Sequence, residues 1–313
     1  MNGKQLSTQY KEKISNYRQW SQLNHADEYV LFPENIGEHL SIDETCLSQG
    51  ELYTFLTNKE GRGGKGTLVA AVRGTKAETV IAVLKLIPNY KRQQVSEITM
   101  DLSSTMMQIS RAVFPHARIT NDRFHVHKLF YDAIDELRIS LRWMARDLEN
   151  HEIAECRKQK KQYVPFRYAN GDTRKQLLAR AKYILTQHQS KWTKAQQWRA
   201  DIIFEYYPEL KKAYDLAMQL TDIFNHKQTK DMARLKLARW YNEVEKLSSM
   251  GNQFMTVLNT FSNHYDTILN FFENRATNAS AESFNAKVKA FRSQFRGVSD
   301  IPFFLFRLSK IAA

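Results

Sequence analysis

Cysteine is nearly absent from this 313-residue chain, which has only Cys46 and Cys156. A disulfide scaffold and a four-cysteine zinc site are therefore excluded. Glycine (11) and proline (6) are also scarce, which argues against a sandwich or barrel built on many tight turns and favours helices. No run approaches the roughly 18 apolar residues of a membrane span, and the N-terminus has no signal-peptide core. Hydrophobic residues still make up 42% and aromatics 12%, so a disordered polyelectrolyte is excluded as well. A soluble, basic globular protein of a reducing compartment is expected, as one large domain or a domain carrying an insertion.

Acids are the other shortage: 33 Asp and Glu stand against 46 Lys and Arg, a net charge of +13. The surplus is concentrated. Residues 151–200 hold twelve basic residues against three acids, residues 283–313 hold six against one, and the remainder is close to neutral. Such blocks can coat solvated helix faces, but two of them on a neutral body suit a polyanion, because clustered cations release counterions from phosphates. Composition does not say whether that polyanion is cut.

The pattern of elements changes along the chain. A short helix is expected around Tyr10 to Leu23, then a loop, then a short segment running from Glu38 into Asp43 and Glu44. Leu52–Thr57 and Thr67–Arg73 read as strands joined by a glycine-rich hairpin loop, Asn58 to Gly66. Ala77–Ile87 has helical spacing and stops at Pro88. Val95–Met100 reads as a strand delivering Asp101, Ser103 or Ser104 caps a helix to Phe114, and Ala117–Asn121 is a last strand before Asp122-Arg-Phe-His125. From about Leu129 to Phe272 the pattern is helical, broken near Val164–Asp172, at Pro208 and near Gly251. Asn278 then caps a helix reaching about Arg296 and ended by Gly297.

Three acids occupy unusual places. Asp43 is expected to end the first strand, Asp101 a later one, and Glu282 lies in the first turn of an amphipathic helix. Strand ends in a mixed sheet converge on one rim, and a hard divalent cation needs only a few oxygens from separate elements. Two such ions about 4 Å apart can activate a water or a 3′-hydroxyl and stabilise a phosphodiester's leaving oxygen. An Asp at a strand end is more often an ordinary turn former or cap. The helix carries Ala281, Phe284, Val288, Phe291 and Phe295 as an apolar face, and Glu282, Asn285, Lys289, Arg292 and Arg296 along another. An acid heading a file of cations suits a metal site beside nucleic acid, and it also suits a solvated stripe with an acid at the helix N-terminus. His116, His125 and His127 lack a second ligand set, so no zinc site is expected. The glycine loop is not a phosphate cradle either, because Gly66 follows Lys65 where Ser or Thr is required.

Taken together, Ile42-Asp43-Glu44, Thr99-Met-Asp101, Asn121-Asp122-Arg-Phe-His125 and Ala281-Glu282-Ser-Phe-Asn285-Ala-Lys287-Val-Lys289 resemble a bacterial insertion-sequence transposase, most closely the ISL-three family of DDE transposases. The resemblance covers roughly residues 39–313. It implies an α/β class, with a ribonuclease H-like mixed sheet flanked by helices and interrupted by a large all-helical insertion. The implied divisions are 1–38 (helix and linker), 39–128 (first part of the core), 129–272 (insertion) and 273–313 (final helices carrying the Glu). The insertion accounts for the separation of 181 positions from Asp101 to Glu282.

By the same resemblance Asp43, Asp101 and Glu282 are the catalytic, metal-binding triad for Mg²⁺ or Mn²⁺ in a two-metal site. Asp122 and His125 support the site, and Asn285, Lys287, Lys289, Arg292 and Arg296 lie near DNA. The implied activity is metal-dependent cleavage at element ends, followed by attack of the freed 3′-hydroxyl on target DNA. A structure-specific nuclease of the same fold and a non-catalytic DNA-binding remnant are the alternatives. The implied partners are double-stranded DNA and further copies of the chain on it. Residues 1–38 lack the zinc-binding and helix-turn-helix pattern frequent in the family. A separate end-recognition protein, or a missing N-terminal domain, is therefore expected. The implied location is the bacterial cytoplasm, at the nucleoid. The basic insertion is expected to clamp DNA, with Trp192 or Trp198 as a stacking surface or, alternatively, as core.

Overall fold

The segments rich in β-branched and aromatic residues pair into one mixed sheet in the computed structural model, which describes residues 3–48, 50–248, 252–294 and 298–313. The strands are β1 (Tyr29–Leu31), β2 (His39–Ser48), β3 (Glu51–Asn58), β4 (Leu68–Arg73), β5 (Glu97–Met100) and β6 (Arg118–Asn121). The first helices are α1 (Gly3–Gln9), α2 (Ala77–Leu84), α3 (Asn89–Arg92), α4 (Ser104–Val113) and the 36-residue α5 (Arg123–Lys158). They are followed by α6 (Arg174–Arg180), α7 (Lys182–Leu185), α8 (Lys194–Tyr206), α9 (Pro208–Asn225) and α10 (Lys230–Ser248). The last are α11 (Asn252–Asn263), α12 (Tyr265–Leu269), α13 (Phe271–Asn274), α14 (Ala279–Gln294) and α15 (Ile301–Ala312). The chain divides into two compact units. One comprises the residues up to Asp122 together with Asn274–Ala313, and the other is Arg123–Glu273.

The first unit is α/β. Its strand order is β1-β4-β3-β2-β5-β6. The pairs β1–β4, β4–β3 and β3–β2 are antiparallel, whereas β2–β5 and β5–β6 are parallel. Strand alternation sorts the side chains of the parallel half. Leu40, Ile42, Ile98, Met100 and Ile119 join the apolar core built with Val80, Val83 and Leu84 of α2 and Met106, Ile109 and Val113 of α4. Ser103 caps α4 by accepting from the Met106 N–H. The other face of the antiparallel half is apolar too: Leu47, Phe55, Leu68 and Ala71 pack with Phe284 and Val288 of α14 and Phe304, Leu305 and Leu308 of α15.

The other face of the parallel half is polar, in three successive rows set by register. The first is His39, Glu97 and Arg118, and the second is Ser41, Thr99 and Thr120. Two residues further along each strand come Asp43, Asp101 and Asp122. In the first row Glu97 is buried and accepts from Lys59 at 3.1 Å, from Arg118 at 3.2 Å and from Asn274. Burial works to raise its carboxyl, but Asn274, Lys59 and Arg118 outweigh it and hold the group below the usual range. In the second row the Ser41 and Thr99 hydroxyls are 2.8 Å apart. Burying hydroxyls and a carboxylate is unfavourable unless they are bonded, a condition met by Ser41, Thr99 and Glu97, whereas the buried Thr120 hydroxyl has no hydrogen-bond partner among the described residues.

The second unit is built of helices, with a non-helical stretch over residues 159–173. Its core gathers Phe130, Trp240, Phe254 and Phe261, with ring centroids 5.2–5.9 Å apart, and the Trp240 indole N–H donates to the Leu216 carbonyl at 2.9 Å. Buried Asp172 joins its loop to two helices by accepting from Arg180 and Arg199. Pro208 stands at the first position of α9, where its missing N–H costs nothing, which explains the break there. Among the described residues no helix is long and apolar enough to cross a membrane.

Four sequence expectations are corrected. The helix expected over Tyr10–Leu23 is a π-turn at Tyr10–Ile14 followed by short 3-10 turns, because Tyr17 and Trp20 dock on Phe303 and Phe306 of α15 with centroids 5.1–5.4 Å apart. The second helix of the sheet unit ends at Leu84 and not at Ile87. Asp43 lies within β2, and that strand is preceded by β1, which pairs with β4. The long helical stretch begins at Arg123, immediately after Asp122, and not near Leu129. The expected helix end at Gly297 lies outside the described residues.

Candidate active site

Asp43 lies where the sheet changes character. The parallel pairing of β2 with β5 ends at Ser41 and Thr99, whereas its antiparallel pairing with β3 continues through Asp43–Phe55 to Ser48–Glu51. Asp43 therefore lies on the stretch of β2 that pairs with β3 beyond the end of its pairing with β5, level with Asp101 just past the end of β5. The ladder carries on to the third acid, since the Asp122 N–H donates to the Met100 carbonyl at 2.9 Å. Asn121 braces the turn by donating to the Asp101 carbonyl at 2.8 Å.

Helix α14 faces this row with one stripe, Asn278 at its start, then Glu282 and Asn285, spaced four and three residues apart. Fully buried Asn278 contacts the Thr99 hydroxyl at 3.2 Å and donates to Asp101 Oδ1 at 3.5 Å. Carboxylate oxygens of Glu282 and Asp122 lie within 4.8 Å of each other. Asn285 donates to Asp43 Oδ2, while Asp43 Oδ1 accepts the Glu44 N–H at 2.7 Å. The apolar stripe of Ala281, Phe284 and Val288 is buried and sets the rotation of the helix, with Phe284 edge-on to Phe55 at 5.7 Å.

The electrostatics follow from this crowding. Burial, followed by the charge of Asp122 and then those of Glu282 and Glu44, pushes the Asp101 carboxyl up to about 6 against the opposing bond from Asn278. Burial also raises Glu44. A site that disfavours its own anionic form, lined by carboxylate and amide oxygens, fits a hard divalent cation.

The remaining residues singled out from sequence fall as follows. His125 is in the first turn of α5, in the helical unit, edge-on to Phe124 at 5.4 Å. Lys287 donates to the Gly63 carbonyl at 3.1 Å, and Arg292 to the Cys46 carbonyl at 3.0 Å, so both cations tie α14 to the sheet. Lys289 is exposed, and Arg296 lies outside the described residues. Gly63 has φ +75°, and a Cβ there would come within 2.9 Å of Lys287 Nζ. Lys287→Met is accordingly expected to cost about 1 kcal/mol and to speed amide exchange over residues 61–66. Unchanged exchange there would show that the tether is idle. Trp192 packs against Phe204 and Tyr214, whereas Trp198 is exposed.

Sequence reasoning treated Asn278 only as a cap and passed over Glu44. The spacing from Asn278 to Glu282 to Asn285 was the available signal. The alignment of Asp122 with Asp101 depends on a pairing register that no local pattern reveals.

A family model described as Transposase matches residues 40–308, and so includes Asp43, Asp101, Asp122 and Glu282. No curated protein and no solved structure matches the chain. With most of its length matched by that model, the chain belongs to the ISL-three family of DDE transposases.

Proposed function

We propose that this transposase is a metal-dependent enzyme that cleaves DNA at insertion-sequence ends and transfers the freed strand into target DNA. The observation that carries the reading is the row Asp43, Asp101 and Asp122, faced by Glu282 from α14, in a chain of a transposase family. Asp43, Asp101 and Glu282 are the proposed catalytic triad, and Asp122 and His125 are proposed to support it. The ribonuclease H-like assignment is supported by three antiparallel strands, β4-β3-β2, followed by the parallel β5 and β6. Residues 129–272 are then the insertion between the two parts of the core.

When bound, Mg²⁺ or Mn²⁺ would supply the Lewis acidity needed for attack by water or a 3′-hydroxyl and for departure of the leaving oxygen. Asp43 and Asp101, from adjacent strands, would hold it together with Glu282 from the helix. Asn278 keeps Asp101 oriented while its charge is unfavourable. In the helical unit six of the twelve basic residues of 151–200 pair with acids of the same unit: Lys158, Arg174, Lys175, Arg180, Lys182 and Arg199. Contact with DNA is therefore assigned to the others. Replacing Lys160, Lys161, Lys191 and Lys194 together by Gln is expected to flatten the salt dependence of DNA binding by about 0.9 per lost phosphate contact. An unchanged slope would remove this surface from the DNA interface.

The functional reading is tested by incubating the purified protein with a plasmid carrying the element's terminal repeats. Expected are Mg²⁺-dependent breaks at the repeat ends and joined products, both absent from Asp43→Asn, Asp101→Asn and Glu282→Gln. Full activity in any of these variants would contradict the triad. Cleavage without joining would favour the nuclease alternative.

A further inference from the structure

Asn285 stands apart from the basic residues around it on α14. It is 8% exposed, whereas Lys287 and Lys289 are open to solvent. Its amide nitrogen donates to Asp43 Oδ2, which fixes the direction of the side chain, since a carboxylate only accepts. That bond leaves the amide oxygen, Oδ1, as a buried acceptor with no hydrogen-bond partner among the described residues. A buried oxygen left in that state carries a desolvation cost of about 1–3 kcal/mol. It is retained beside Asp43 and one helical turn beyond Glu282.

Resting on the proposed metal-dependent reading, we infer that Asn285 is a member of the cation site: its nitrogen orients Asp43 and its Oδ1 is a neutral oxygen ligand of the divalent ion. Amide carbonyl oxygens are ordinary ligands of hard cations, and a neutral one adds coordination without adding charge to a site that already crowds its carboxylates. Both oxygens of Asp43 are then held, Oδ1 by the Glu44 N–H and Oδ2 by Asn285, so its lone pairs keep a fixed direction. On this assignment Asn285 does not contact DNA.

The test is Mn²⁺ titration of the full chain without DNA, with free Mn²⁺ read by electron paramagnetic resonance. In parallel, the Mn²⁺-induced rise in melting temperature is measured within each variant, so that differences in basal stability cancel. Asn285→Ala is expected to weaken Mn²⁺ binding about tenfold or more. Asn285→Asp keeps the size and the oxygen but loses the donor. It is expected to bind Mn²⁺ at least as tightly as wild type and to show a larger Mn²⁺-induced stabilisation. Asn285→Ala binding within twofold of wild type would overturn the assignment, as would Asn285→Asp weakened to the same degree as Asn285→Ala. Asp101→Asn separates the two readings. If it loses Mn²⁺ while Asn285→Ala does not, only the assignment of Asn285 fails. If neither it nor wild type binds Mn²⁺, the metal-dependent reading fails and takes this one with it.

Discussion

Replacing Asp101 by Asn is expected to abolish metal-dependent DNA cleavage and, at the same time, to stabilise the metal-free protein. The two effects share one cause. The Asp101 carboxyl is pushed up to about 6, chiefly by burial and then by the charges of Asp122, Glu282 and Glu44. In the unfolded chain the same group ionises near 3.8. Between about pH 4 and pH 6 the unfolded state therefore gives up this proton first, so the group's contribution to stability is intact below that window and is lost as pH rises through it. Holding the carboxyl at about 6 instead of 3.8 corresponds to about 2–3 kcal/mol at neutral pH. Asn keeps the size of the side chain and removes the charge. Urea unfolding in chelator should show Asp101→Asn more stable than wild type at pH 7.5 and close to it at pH 4. Activity should fall by roughly a thousandfold, the equivalent of about 4 kcal/mol of lost transition-state stabilisation by the metal. An Asp101→Asn protein that is less stable and still cleaves would contradict both halves.

Glu97→Ala is expected to be among the most damaging changes in the sheet unit, costing about 3–5 kcal/mol, with no group of the active site touched. Glu97 is 2% exposed and joins Lys59, Arg118 and Asn274, three separate parts of the first unit. Its removal leaves the largely covered Lys59 ammonium beside an apolar residue. The depressed carboxyl gives the sign of the pH effect: its contribution is present above about pH 4.5 and is lost as pH falls through the lower folded value. Lys59→Met combined with Glu97→Leu should recover much of the loss, because a buried ion pair and an apolar pair of similar volume are nearly equal in stability. Urea midpoints of the three proteins check this. A single Glu97→Ala variant within 1 kcal/mol of wild type would show that the first polar row does not organise the sheet.

Much of this molecule was legible from local pattern. The hairpin around the glycine loop, the strand leading to Asp101, the Ser103 cap and the Ala281, Phe284, Val288 face of α14 each depend on near neighbours in sequence, and each stands as expected. The misreadings arose where distant residues decide. Tyr17 and Trp20 break the N-terminal helix because α15 offers Phe303 and Phe306, some 285 residues away. Tyr29–Leu31 becomes a strand only because the edge of β4 accepts it. Asp43 looked like a strand end because the acids interrupt an apolar run. The strand continues because β3 pairs with it on the antiparallel side after β5 has stopped.

The candidate site divides in the same way. Asp43, Asp101 and Glu282 could be singled out from sequence, since each sits beside a segment of clear periodicity. The placement of Asp122 level with Asp101, and of Asn278 and Asn285 against two of the acids, depends on register and helix rotation. The rotation is set by Phe284 against Phe55, a contact spanning most of the chain. Lys287 and Arg292 show the reverse. In sequence they extend a basic stripe, yet in the fold they bond to backbone carbonyls of the sheet unit.

The central claim is that Asp43, Asp101 and Glu282 hold divalent cations for phosphodiester chemistry. Crystals of the protein grown with Mn²⁺ and measured at the manganese absorption edge test it most directly. The account predicts anomalous density within coordination distance of Asp43 and Asp101 in the wild type, and its loss in Asp101→Asn. Density elsewhere in the molecule with none at these carboxylates, or density that survives in Asp101→Asn, would contradict it.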